Sequence, residues 1–174
     1  MSSEAATFSI EASKPYQPIL WGGLIAGILD ISAAFTHSAL AAGRSPMWVL
    51  QFVASGLLGA DSYNGGFRTA AVGAALHFLI ALVASAVFYA ASRKFTVLVK
   101  RAVICGLFYG IAVYSFMYLV VQPLSFHTSF FARKPSAVAI GLVIHMLCVG
   151  LPIALVVRHF SNLRDQNRAG LGTF

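Results

Sequence analysis

Three ionisable side chains stand inside long apolar runs of this chain: Asp30, His77 and His145. A carboxylate and two imidazoles are groups that move protons, and imidazole titrates near ~6.5 when unperturbed. They also bind metals. Asp30 with His77 and His145 could hold a divalent ion such as Zn or Fe, and two histidines at one depth on separate helices could ligate a haem b. An ionised Asp at the centre of a bilayer costs at least ~2.5–3.5 kcal/mol on insertion scales, so such residues turn inward and find partners. An Asp–His contact, as a neutral hydrogen bond or as an ion pair with His⁺, would lower that cost and could titrate near neutral pH. Each residue also has a purely structural reading, as a polar contact gluing helices together. The chain contains no HExxH, Walker, Rossmann or Ser-His-Asp pattern, which argues against an enzyme of the soluble type.

Charge this sparse calls for elements that bury nearly everything else. The 174 residues are 59% hydrophobic and 10% charged, against about 25% charged in soluble domains. Crossing the hydrocarbon core takes ~20 apolar residues in a helix, and backbone groups in lipid must be satisfied within the helix itself. Four runs qualify: about 18–40, 69–91, 102–121 and 136–157. Pro18 suits a first helical turn. Span 3 is read as stopping at Gln122-Pro123, and span 4 as starting after Lys134-Pro135. Between spans 1 and 2, Ser45-Pro46 is an N-cap followed by proline at the first helical position. The apolar stretch from Met47 to Leu58 is short for a span and fits an interfacial or re-entrant helix. Asp61-Ser62-Tyr63-Asn64-Gly65-Gly66 is turn chemistry leading into span 2. The fold expected is all-α, a four-helix transmembrane bundle with one short interfacial or re-entrant helix.

These elements bring the three polar residues to one layer. Counted from the ends of their spans, Asp30, His77 and His145 agree in depth within ~3 Å at ~1.5 Å per residue. Gly23, Gly27, Asp30, Ala34 and His37 fall on one face of span 1, so His37 could extend a polar path outward. Ala70, Ala74, His77, Ala81 and Ala84 form a small-residue stripe on span 2, and Gly141, His145, Cys148 and Pro152 one on span 4. Small residues face neighbouring helices in membranes, so all three polar side chains are expected to point inward. Gly23 and Gly27, like Gly106 and Gly110, form GxxxG motifs that let backbones approach closely, within the chain or between copies in a homo-oligomer. The order Gly23, Gly27 then Gly73, His77 is echoed by Gly106, Gly110 then Gly141, His145, as two hairpins in tandem would be, although Asp30 aligns with Val113. Tyr109, Tyr114 and Tyr118 read as packing or interfacial aromatics.

The net charge of +7 does not indicate nucleic acid. The basic residues sit at the ends of the apolar runs rather than in a stripe interleaved with exposed aromatics. The partner they imply is the lipid bilayer. The side holding the N-tail, the loop between spans 2 and 3 and the C-tail carries eight of the twelve Lys and Arg, the other side four. The positive-inside rule then places both termini in the cytoplasm. Residues 1–17 and 161–174 are expected to be flexible cytoplasmic tails, the first lacking the marks of a signal peptide. Cys105 and Cys148 lie in apolar runs, form no metal motif and are poor disulfide candidates.

The chain resembles a group of uncharacterised bacterial inner-membrane proteins with four predicted spans. The residues that carry the likeness are Gly22-Gly23-Leu24-Ile25-Ala26-Gly27-Ile28-Leu29-Asp30-Ile31, Ala54-Ser55-Gly56-Leu57-Leu58-Gly59, Leu107-Phe108-Tyr109-Gly110-Ile111-Ala112-Val113-Tyr114 and Ile144-His145-Met146-Leu147-Cys148-Val149-Gly150-Leu151-Pro152. A fainter likeness, in the Gly-containing spans and the His of the last one, is to YagU-type membrane proteins. The resemblance implies a bacterial inner membrane and supplies no reaction or cofactor. Three functions follow from the residues: a structural or accessory membrane protein, placed first; a small proton-linked transporter or channel using Asp30, His77 and His145; and a haem- or metal-binding membrane protein.

Overall fold

The computed structural model describes residues 14–126 and 134–171. Among the described residues there is no strand. Helix α1 (Gln17–Ala42) has Pro18 in its first turn and ends at Gly43, whose left-handed φ of 61° lets its N–H close onto the Ala39 carbonyl at 2.9 Å. Helix α2 (Pro46–Leu58) begins as the sequence implies, the Ser45 hydroxyl accepting from the Trp48 N–H at 3.2 Å. A 3₁₀ turn over Gly59–Asn64 leads into α3 (Gly66–Lys94), and a short α4 (Val97–Lys100) follows.

Helix α5 is α-helical over Ala102–Phe116, π-helical over Met117–Val121 and α-helical again over Gln122–Phe126. Helix α6 repeats the device, with α over Pro135–Ile144, π over His145–Gly150 and α over Leu151–Leu171. Both π turns immediately precede a proline-bearing turn, at Pro123 and Pro152. Proline inside a helix removes one N–H and clashes with the carbonyl four residues back. Widening the preceding turn is one way to carry the helix past it. Span 3 therefore does not stop at Gln122-Pro123 but runs through it. Residues 161–171, read from sequence as a tail, continue α6 as helix. The N-terminal tail falls almost wholly on residues 1–13, outside the described residues.

Among the described residues, four helices are long and apolar enough to cross a membrane: Gln17–Ala42, Gly66–Lys94, Ala102–Ser125 and Pro135–Arg164. They exceed the expected spans because hydropathy marks the apolar part of a helix and not its ends. At 13 residues, α2 is ~20 Å long, short of the ~30 Å core. It lies instead on the first turns of α3, so tightly that a Cβ on Gly73 would collide with the Leu50 carbonyl. Polar bonds tie this corner together. Gln51 donates to the Gly66 carbonyl at 3.2 Å, Ser62 to the Gln51 carbonyl at 3.0 Å, and Thr69 to the Ser62 carbonyl at 2.6 Å.

Within the bundle, α1 is central and packs on α3 and α6, while α5 packs on α6. The GxxxG faces are used inside the chain. Gly23 meets Leu82 and Gly27 meets Phe78 across α1 and α3; Gly106 meets Gly150 and Gly110 meets Met146 across α5 and α6. The alignment that places His77 on His145 also places Leu82 on Gly150 and Phe78 on Met146, so the two hairpins pack through equivalent positions. An oligomer would have to use other surfaces. Ala26, Phe88, Ala102, Val149, Ile153, Ala154 and Val157 form the buried core. It occupies the half of the bundle nearer the chain termini, and the distal half holds a cavity instead.

Candidate functional site

Asp30, His77 and His145 line one cavity of about 380 Å³ in the distal half of the bundle. A smaller pocket of about 100 Å³ beside it is bordered by the same three residues. The residues come from α1, α3 and α6, each some ~15–18 Å from the distal end of its helix at ~1.5 Å per residue. Helix α2 walls the cavity with Val49, Phe52 and Val53, and α5 with Tyr118, Gln122 and Ser125. Both π turns border the cavity, through Met117, Tyr118 and Val121 on α5 and through His145 on α6. Such turns are frequent at functional sites because they break the regular side-chain register.

The three residues share the cavity without pairing. The His77 Nε2–H donates to the Gly27 carbonyl at 2.9 Å, bridging α3 to α1. The His145 Nδ1–H donates to the Gly141 carbonyl at 2.9 Å, one turn back on its own helix. A carbonyl can only accept, so in a neutral ring these bonds place the proton on Nε2 of His77 and on Nδ1 of His145 and leave the lone pair on the other nitrogen. The Tyr114 ring meets the His145 ring edge-on at 5.2 Å, with Tyr118 against Tyr114 at 4.3 Å. Asp30 is half-buried. Among the described residues, no hydrogen bond or ion pair engages its carboxyl, so the Asp–His contact considered from sequence is not made. Among the described residues, no three His, Cys, Asp or Glu side chains gather into a group that could hold a metal ion.

His37 stands two turns beyond Asp30 on α1, half-buried and outside the residues that line the cavity. Cys105 and Cys148 are free thiols. Sequence reasoning missed Gln122 and Ser125, and it read Tyr118 as a packing or interfacial aromatic rather than as part of the cavity wall. The signal was present, since Tyr114, Tyr118, Gln122 and Ser125 follow steps of four, four and three along one helical face. Ending span 3 at Pro123 hid it. Tyr109 is packed as expected and also donates to the Ala84 carbonyl at 2.7 Å, joining α5 to α3.

A cavity with one unpaired carboxyl and two imidazole lone pairs can take up a proton or a small polar solute. Its remaining walls are largely apolar. Comparison with protein families, curated proteins and solved structures finds no match for this chain.

Proposed function

We propose that this chain is a small proton-linked transporter or channel of the bacterial inner membrane, with both termini cytoplasmic. The observation that carries the reading is that Asp30, His77 and His145, from three separate helices, line one cavity in which, among the described residues, no hydrogen bond or ion pair engages the Asp30 carboxyl. An unpaired carboxylate is costly within a membrane, and taking a proton removes its charge. The free ring nitrogens of His77 and His145 offer the next places for that proton. The charge asymmetry of the loops supports the orientation.

A structural or accessory role, placed first on sequence grounds, needs nothing from Asp30 and accounts for the close glycine packing. It leaves the unpaired carboxyl without a reason. The test is Asp30→Asn in proteoliposomes under an imposed pH gradient, with proton entry read by a trapped pH-sensitive dye. Loss of flux in a variant that keeps its melting temperature supports transport. Flux unchanged from the parent chain, or indistinguishable from empty vesicles in both, would sink it and return the structural role to first place.

A further inference from the structure

At the opposite end of the bundle, a cleft of about 570 Å³ is lined by Arg93, Lys100, Arg158 and Arg164, with Thr96 and Asn162 beside them. The cations come from three places in the chain: the last turn of α3, the short α4, and the polar extension of α6 beyond its apolar run. Folding, rather than a run of basic residues, brings them together. Among the described side chains, no acidic one lines the cleft. Arg164 is half-buried, and its guanidinium donates to the Tyr89 hydroxyl at 3.1 Å, so one cation is already held in the wall. Arg93, Lys100 and Arg158 are exposed and free to close on a ligand.

Four cations gathered in one cleft repel one another, and a bound anion relieves that repulsion. Guanidinium groups suit the oxygens of a phosphate, which they can engage in a bidentate manner. The neighbouring residues Phe95 and Val97 are exposed and apolar, which suits acyl chains next to a headgroup. We infer that this cleft binds the phosphodiester headgroup of an anionic phospholipid. Basic pockets between helices at the cytoplasmic face are the usual form of such sites. The proposal is independent of the distal cavity and of proton movement.

The test is native mass spectrometry of the full chain released from mild detergent, after incubation with phosphatidylglycerol, with phosphatidylcholine or with inorganic phosphate. The double variant Arg93→Gln/Arg158→Gln removes two exposed cations, and Lys134→Gln at the other end is the control; melting temperature checks the fold of each. We expect phosphatidylglycerol to be retained over phosphatidylcholine. Its apparent affinity should fall at least ~tenfold in the double variant, as for two lost basic contacts at a membrane surface, and stay unchanged in Lys134→Gln. Equal retention of both lipids, or an undiminished affinity in the folded double variant, overturns the proposal. Retention of inorganic phosphate that displaces the lipid and is lost in the double variant assigns the cleft to a free anion and overturns the lipid reading.

Discussion

Gly110→Ala tests whether the backbone contact behind His145 holds the distal cavity in shape. A Cβ on Gly110 would stand 2.5 Å from the His145 carbonyl oxygen and 2.5 Å from the Met146 Cα. Comfortable carbon contacts lie near ~3.5–4.0 Å, so α5 and α6 must part by ~1 Å. Neither atom can rotate away, because both belong to the backbone. Overpacking of this kind costs about 1–3 kcal/mol, and the better helix propensity of alanine returns up to ~1 kcal/mol. The net loss is roughly 1–2 kcal/mol, or a melting temperature lower by ~2–8 °C for a chain of this size. Gly27→Ala provides the contrast. Its Cβ would meet the Phe78 ring at 2.7 and 2.8 Å, and a side-chain ring can shift where a backbone cannot, so the cost should be smaller than in Gly110→Ala. Thermal unfolding of both variants in the same detergent measures the difference. Proton flux should fall more in Gly110→Ala, because the displaced segment is the π turn that bears His145. Equal melting temperatures for the two variants would refute the reasoning.

Other outcomes follow from single contacts. His77→Phe removes the bond to the Gly27 carbonyl and should cost about 0.6 kcal/mol, up to ~1.7, as interhelical bonds in membranes do; unfolding in detergent gives the value, and no change would mean that the bond is not made. Tyr109→Phe removes the bond to the Ala84 carbonyl and should cost a similar ~0.6 kcal/mol by the same assay. Trp48→Ala strips α2 of its stacking on Phe52 and Tyr63 and of the Arg44 guanidinium 3.6 Å above the ring; amide exchange over residues 46–64 should speed up while the core of α6 stays protected. Elemental analysis of protein purified without chelators should find no metal that depends on His77 and His145. Near-stoichiometric iron or zinc lost in His77→Ala and in His145→Ala would put the cofactor reading ahead of proton transport.

Much of the fold was legible because the solvent is lipid. Long apolar runs have few solutions in a bilayer, so the four spans, the Ser45-Pro46 helix start and the inward faces of Asp30, His77 and His145 could be read directly. Helix ends were less legible, since hydropathy stops where the apolar run stops, while the backbone of α6 continues as helix to Leu171. Pro123 misled for a local reason: proline usually ends a helix, but a π turn before it can absorb the clash, and that choice depends on the surroundings. Periodicity and depth along single helices determined which residues belong to one layer. Only the tertiary structure decided how those helices stand to one another. It put the glycine faces against partners in the same chain, turned His77 toward the Gly27 carbonyl and His145 toward Gly141, and left Asp30 unpaired beside both. Local sequence pattern governs rotation and depth on a helix, but the distance between side chains on different helices is set by packing across the whole bundle.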